Sequence, residues 1–196
     1  MPARRSSSRD LALVATFAGV IAALGLVPGF LPTGVAVPIT AQTLGVMLAG
    51  SIIGARRGAA AVLLFLALVA LGLPILAGGR GGLGILFGPS VGYFVGWIVG
   101  AGVIGFLSER RRSSYDFATG FGVNVIGGIL VIHAIGLVGL MVRLGLSLEA
   151  AVATDLWFIL GDLVKAVIAA SVAVGVHRAY PGLLGGSRRA RFFARA

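Results

Sequence analysis

FATGFGVNVIGGILVIHAIGLVGLM, residues 117–141, contains no Asp, Glu, Lys or Arg and exceeds the ~20 apolar residues that a helix needs to cross a bilayer. It reads as a membrane span. Working outward, comparable apolar blocks lie at about 11–27, 35–53, 58–73, 90–107 and 150–176. Across the chain 58% of residues are hydrophobic and 11% charged, with a mean hydropathy of +1.06, far from the roughly 25% charged residues of a soluble domain. The expected fold is therefore all-α, a single bundle of six transmembrane helices forming one domain over residues 1–196. The block at 35–53 is the least regular, because Pro38, Thr40, Gln42 and Thr43 interrupt it. Non-helical backbone at that depth must be buried in protein or line a cavity.

Charge placement fixes the expected orientation. With both termini cytoplasmic, the inner side holds Arg4, Arg5, Arg9, Arg56, Arg57, Arg110, Arg111, Arg112, Arg178, Arg188, Arg189, Arg191 and Arg195. Only Arg80 and Arg143 fall outside, and Lys165 lies within a span, so the positive-inside rule supports an even number of crossings. Residues 1–10 and 178–196 then form basic cytoplasmic ends. The net charge of +10 is explained by topology, and no nucleic-acid partner is expected. Arg4, Arg5 and Arg9 ahead of an apolar run also fit a signal peptide. Cleavage would spoil the charge asymmetry, however, and no small-x-small site stands directly after Leu26. Cysteine is absent, which excludes disulfides and thiolate metal sites.

The residues that stand out chemically are few. Asp162 and Lys165, three apart on one helical face within an apolar block, each carry a cost of about 3 kcal/mol at a span centre. They are either a ligand site or an internal ion pair. Asp155, seven residues earlier on the same face, reads as a solvated first-turn carboxylate near the outer interface. The outer loop at 73–89 is rich in glycine, including Gly79 and Gly81 on either side of Arg80, which lets backbone approach a ligand closely. It contains a formal G-x-G-x-x-G, but no βαβ unit surrounds it and no phosphate-loop lysine follows. What remains is a lid with Arg80 and apolar anchors including Leu76 and Phe87, or a mobile loop with a solvated arginine.

Gln42 between Thr40 and Thr43 offers amide and hydroxyl partners to a polar ligand, or to neighbouring helices. Asn124 and His133 are open to the same two readings, with His133 read as a packing or hydrogen-bonding residue. No H-E-x-x-H or G-x-S-x-G arrangement is present, so no enzymatic activity is expected. Ala15, Gly19 and Ala23, with Ala18 and Ala22 beside them, form a small-residue stripe suited either to internal packing or to docking another subunit.

Taken together, Val37-Pro38-Ile39-Thr40-Ala41-Gln42-Thr43, Gly54-Ala55-Arg56-Arg57-Gly58, the glycine-rich loop running into Gly88-Pro89-Ser90-Val91-Gly92-Tyr93, and Asp162-x-x-Lys165 resemble the BioY family. These are the biotin-specific capture components of energy-coupling factor importers. The resemblance covers residues from Leu11 to about Val176, departing at Ser90, where threonine is expected. It implies a multi-pass plasma-membrane subunit that binds biotin near its outer face without a cofactor. It also implies a separate membrane coupling protein and two ATP-binding cassette ATPases as partners. Asp162, Lys165, Arg80 and Gln42 match the family's polar site positions. An ionised Asp162 would accept from ureido N–H groups, while Lys165 or Arg80 would meet the ureido oxygen or the carboxylate. Gly79 and Gly81 would bring backbone to the ligand, and aromatics such as Phe87, Tyr93 or Trp157 would cover its ring. Capture of thiamine or riboflavin, or a small intramembrane enzyme, are the competing expectations.

Overall fold

A computed structural model describes residues 8–31 and 37–184. Arg4, Arg5, Arg188, Arg189, Arg191 and Arg195, like the start of the second apolar block, lie outside the described residues. Among the described residues, six helices follow in order: α1 (Ser8–Leu24), α2 (Gln42–Ile53), α3 (Ala55–Ala70), α4 (Val91–Arg110), α5 (Phe117–Leu144) and α6 (Leu148–Ala179). Among the described residues there is no strand, only the isolated bridges Phe30 to Ile39 and Leu76 to Arg80.

Local chemistry sets the reversals. Gly54, at φ 83°, both ends α2 and begins α3, a left-handed backbone that L side chains adopt at a cost. Asp116 caps α5 by accepting from the Thr119 amide at 2.8 Å, and hydrogen bonds from Thr119 hold its carboxyl below the usual range. Gly145 closes α5 at φ 65°, and Ser147 caps α6 by accepting from the Ala150 amide at 3.2 Å.

Contacts between helix ends show that the helices alternate in direction. Asp10 meets Arg57 at 2.7 Å, Glu109 accepts from the Ala55 amide at 2.9 Å, and Tyr115 packs edge-on against His177. Starts of α1, α3 and α5 therefore share one end with the finishes of α2, α4 and α6. Arg9, Arg56, Arg57, Arg110, Arg111, Arg112 and Arg178 cluster at that end, and Arg80 and Arg143 lie at the other.

Among the described residues, three helices, α4, α5 and α6, are long and apolar enough to cross a membrane. Large apolar side chains point outward along them, Leu160 at 75% exposed and Leu130 at 62%, as expected of surfaces solvated by lipid. By contrast, α2 has 12 residues, nine of them buried, and it touches all five other helices. At 1.5 Å per residue it covers about 18 Å, well short of the ~30 Å hydrocarbon core. The unfilled length above its start is where the site lies.

Glycine brings α4 against α5. A Cβ on Gly92 would sit 2.7 Å from Gly139 Cα, one on Gly96 2.8 Å from the Ile132 carbonyl, and one on Gly100 2.7 Å from the Gly127 carbonyl. Their four-residue spacing gives backbone-to-backbone packing of the kind that holds helices together in lipid. Within α5, residues Val125–Val131 form a π-helical segment, an insertion that changes the direction of everything after it and is frequent near functional sites. His133 follows two residues after it.

Candidate functional site

A cavity of about 480 Å³, counted to its open mouth, lies above the start of α2. Its apolar wall comes from Leu76, Tyr93, Phe94, Trp97, Ile132 and Phe158, with Val37 and Pro38 at the entrance to α2. Tyr93 and Phe158 stack with centroids 5.5 Å apart, and Phe94 meets Trp97 edge-on at 5.4 Å. The Trp97 Nε1–H is buried and finds no hydrogen-bond partner among the described residues.

The polar wall is a continuous network. Asp162, 1% exposed, accepts from Lys165 Nζ at 2.7 Å and from Thr43 Oγ1 at 2.9 Å, both on Oδ1. Lys165 Nζ also donates to Thr43 Oγ1 at 2.9 Å. His133 Nε2 lies 2.9 Å from Asp162 Oδ2, and Nδ1 lies 2.8 and 2.9 Å from the two oxygens of Asp155. Tyr93 donates its hydroxyl hydrogen to Asp155 Oδ1 at 2.6 Å. A line of hydrogen-bonded groups therefore runs from α4 through α6 and α5 to α2.

This corrects the expectation for Asp155. It is 5% exposed and held by Tyr93 and His133, where a solvated carboxylate was expected. Its position seven residues before Asp162 puts both on the inward face of α6, where Tyr93 and His133 cover Asp155. His133 is a hydrogen-bonding residue, as read, but it also lines the cavity, and the π-helical segment that aims it has no sequence signature of its own. Asn124, the other polar residue of that span, bonds to Ser51 of α2 and the Gly120 carbonyl at the opposite end of the bundle.

Of the remaining site residues, Gln42, Arg80, Tyr93, Asp162 and Lys165 line the cavity. Gln42 is fully buried, and its amide donates to the Ile21 and Ile75 carbonyls at 3.2 and 3.1 Å while accepting from the Ala77 amide at 3.1 Å. It thereby pins the glycine-rich loop to α1 and α2. Arg80 is exposed at the mouth, where Nε donates to the Ala77 carbonyl at 3.1 Å and the two terminal nitrogens bond to none of the described residues. Gly79, Gly81 and Phe87 do not reach the cavity wall. Gly79 makes the Leu76 to Arg80 turn at φ 68°, and Gly81 lets the chain pass the Leu73 carbonyl, which a Cβ would strike. Phe87 is 68% exposed in a short 3-10 turn, where its carbonyl accepts from Arg143. Trp157, at 57% exposed, faces away from the bundle. Thr43, His133, Trp97 and Phe158 enlarge the set.

A helical bundle with an outward apolar surface and a buried array of two acids and two bases, of which Asp162, His133 and Lys165 line one cavity, is an integral membrane protein with its chemistry inside. The chain belongs to the BioY family, whose sequence profile matches residues 1–182. It is 50% identical over 184 residues to the biotin transporter BioY of Rhizobium etli, covering 89% of this chain and 96% of that protein. It is 48% identical to the biotin transporter BioY of Rhodobacter capsulatus, covering 90% and 97%. Its fold matches the crystal structure of the S-component for biotin from an ECF-type ABC transporter with a TM-score of 0.83 at 30% identity, covering 87% of this chain and 91% of the other.

Proposed function

We propose that this protein captures biotin at the end of the bundle that carries Arg80, as the substrate-binding subunit of a vitamin importer. The observation that carries this reading is a count of unused valences. A carboxylate offers about four lone-pair positions and an ammonium three N–H groups. Asp162 uses three of its four on Lys165, Thr43 and His133, and Lys165 uses two of its three on Asp162 and Thr43. One acceptor and one donor remain, side by side on residues that line the cavity. Their complement is an N–H next to a C=O, the edge of a cyclic ureide. Arg80, whose terminal nitrogens bond to none of the described residues, is placed at the mouth for the carboxylate at the other end of such a ligand, and the aromatic wall covers the thioether ring between them.

Equilibrium binding of radiolabelled biotin to the detergent-purified protein, with thiamine and riboflavin as competitors, tests this directly. Saturable biotin binding that neither competitor displaces is expected. Displacement by thiamine, or no biotin binding, overturns the reading.

The same reading takes the chain across the membrane six times, with the short α2 completed by the irregular stretch before it, and makes the basic end cytoplasmic and the cavity end external in a multi-pass plasma-membrane protein. Among the described residues, seven arginines lie at one end and two at the other, and the positive-inside rule favours that orientation. Since the chain lacks cysteine, single introduced thiols report cleanly. An impermeant maleimide should label Arg80→Cys but not Arg111→Cys in intact cells, and the reverse pattern refutes the orientation.

Energy for uptake would come from a separate coupling protein and two ATP-binding cassette ATPases. Ala15 and Ala23 are exposed, and a Cβ on Gly19 would meet nothing within 4 Å, whereas Ala18 on the adjacent face is buried. The small-residue stripe of α1 thus faces away from the bundle, which supports its use in docking a partner helix. Gly19→Leu is expected to reduce transport and co-purification of the coupling subunit while leaving biotin affinity within about twofold, because substitutions on free surface change stability little. Loss of folding and binding together in that variant would reject the docking role.

A further inference from the structure

Asp162 and Lys165 already balance each other, yet a second buried pair, Asp155 and His133, is hydrogen-bonded to them. Both ring nitrogens of His133 face carboxylate oxygens, at 2.8 to 2.9 Å. A carboxylate accepts and does not donate when ionised, so an imidazole that bonds ionised acids through both nitrogens carries both protons and a positive charge. The array then reads, in order, Asp155 negative, His133 positive, Asp162 negative, Lys165 positive. Tyr93 ties down the far end through its 2.6 Å bond to Asp155. Arg80 is the other charged residue at the cavity, and it is exposed at the mouth.

We infer that His133, held by Asp155, is a positioning and specificity-determining residue: it orients the Asp162 carboxylate and keeps the floor of the cavity electrically neutral, so that the site selects an uncharged ureide over a cationic ring of the same shape. The inference rests on the biotin reading above and extends it to residues that need not touch the ligand. His133 fixes Oδ2 of Asp162, which leaves a single lone pair for the ligand. Its charge cancels that of Asp155, and removing either one leaves a net charge beside the ligand in a medium where charges are weakly screened.

The test uses two ligands of nearly the same shape. Biotin has a neutral ureido ring, whereas in 2-iminobiotin the ureido oxygen is replaced by nitrogen and the ring is a guanidinium cation. Affinities of the full-length protein for both are measured in detergent at pH 8 for wild type, His133→Gln, Asp155→Asn and the double variant. His133→Gln leaves the floor net negative, and the ratio of biotin to 2-iminobiotin affinity is expected to fall about tenfold. Asp155→Asn leaves it net positive, and the ratio is expected to rise by a similar factor. The double variant, neutral again, should return the ratio to within about threefold of wild type.

Equal weakening of both ligands in each variant would mean a strut that only holds helices together, and would overturn the inference. So would an unchanged ratio in folded single variants. Should His133→Gln fail to purify as a monodisperse protein, Asp155→Asn and the double variant carry the same comparison with the same opposing outcomes. Failure of the biotin reading looks different: the wild-type protein itself would not bind biotin, and the positioning role would fall with it.

Discussion

Asp162→Asn and Lys165→Met are each expected to weaken biotin binding by at least about tenfold and up to roughly 150-fold, since each removes a charge-assisted hydrogen bond worth about 1.5–3 kcal/mol. Each also strands a charge. Lys165→Met leaves Asp162 with His133 and Thr43, and Asp162→Asn leaves Lys165 with only Thr43 and a neutral amide. Removing one partner of a buried pair typically costs about 3–5 kcal/mol, so lower melting temperatures should accompany the lost binding. The double variant Asp162→Leu/Lys165→Met separates the two roles of the pair. It leaves Asp155 with His133 as a neutral unit still tied to Tyr93, so the bundle is expected to recover stability while remaining unable to bind. Biotin affinity near the wild-type level in that folded protein would rule out Asp162 and Lys165 as the ligand site.

Gly139→Val and Gly92→Val should have the largest effect on the fold. A Cβ at either position would meet backbone atoms of the opposing glycine, 2.5 Å away for Gly139 and 2.7 Å for Gly92, and backbone cannot rotate aside as a side chain can. The helices must separate, at about 1–3 kcal/mol or more for overpacking, and Tyr93 and His133 move with them. Loss of monodisperse protein, or a markedly lower melting temperature with loss of biotin binding, is the expected result. Gly102→Ala and Gly122→Ala provide the control, because a Cβ there meets nothing within 4 Å. They should be neutral or stabilising by up to about 1 kcal/mol, the helix-propensity difference. Wild-type melting and binding in Gly92→Val would contradict the close-packed α4–α5 contact.

Helix positions were largely legible in the sequence because they depend on unbroken apolar length. The expected blocks at 58–73, 90–107, 117–141 and 150–176 each fall within about three residues of α3, α4, α5 and α6. The irregular start of the second block was legible too, since Pro38 and the polar residues after it disfavour helix, and α2 begins only at Gln42. Asp162 and Lys165 announced themselves as charges in an apolar run. His133 and Asp155 did not, because their importance comes from three helices meeting, and the π-helical turn that aims His133 is made by ordinary residues such as Val125 and Ile126. Gln42 was visible as a polar residue, but its satisfied amide is a property of the loop folded over it. The glycines of α4 at positions 92, 96 and 100 carried a packing signal as plain as that of α1, and only their partners on α5 reveal it.

The 12-residue length of α2 bears on how the protein is made. A segment covering about 18 Å, with Gln42 and Thr43 at its leading end, lacks the continuous apolar length that lets a nascent helix partition into lipid by itself. Gly54 joins it to α3 through a single residue, so the two would enter the bilayer as one hairpin, with α2 sheltered until α4, α5 and α6 are synthesised. The bond from Thr43 to Asp162 spans 119 positions of the chain, and it cannot form before the first half of α6 has left the ribosome. Ligand capture therefore becomes available only once α6 is being made, and a chain translated no further than α5 has no floor on which biotin could rest.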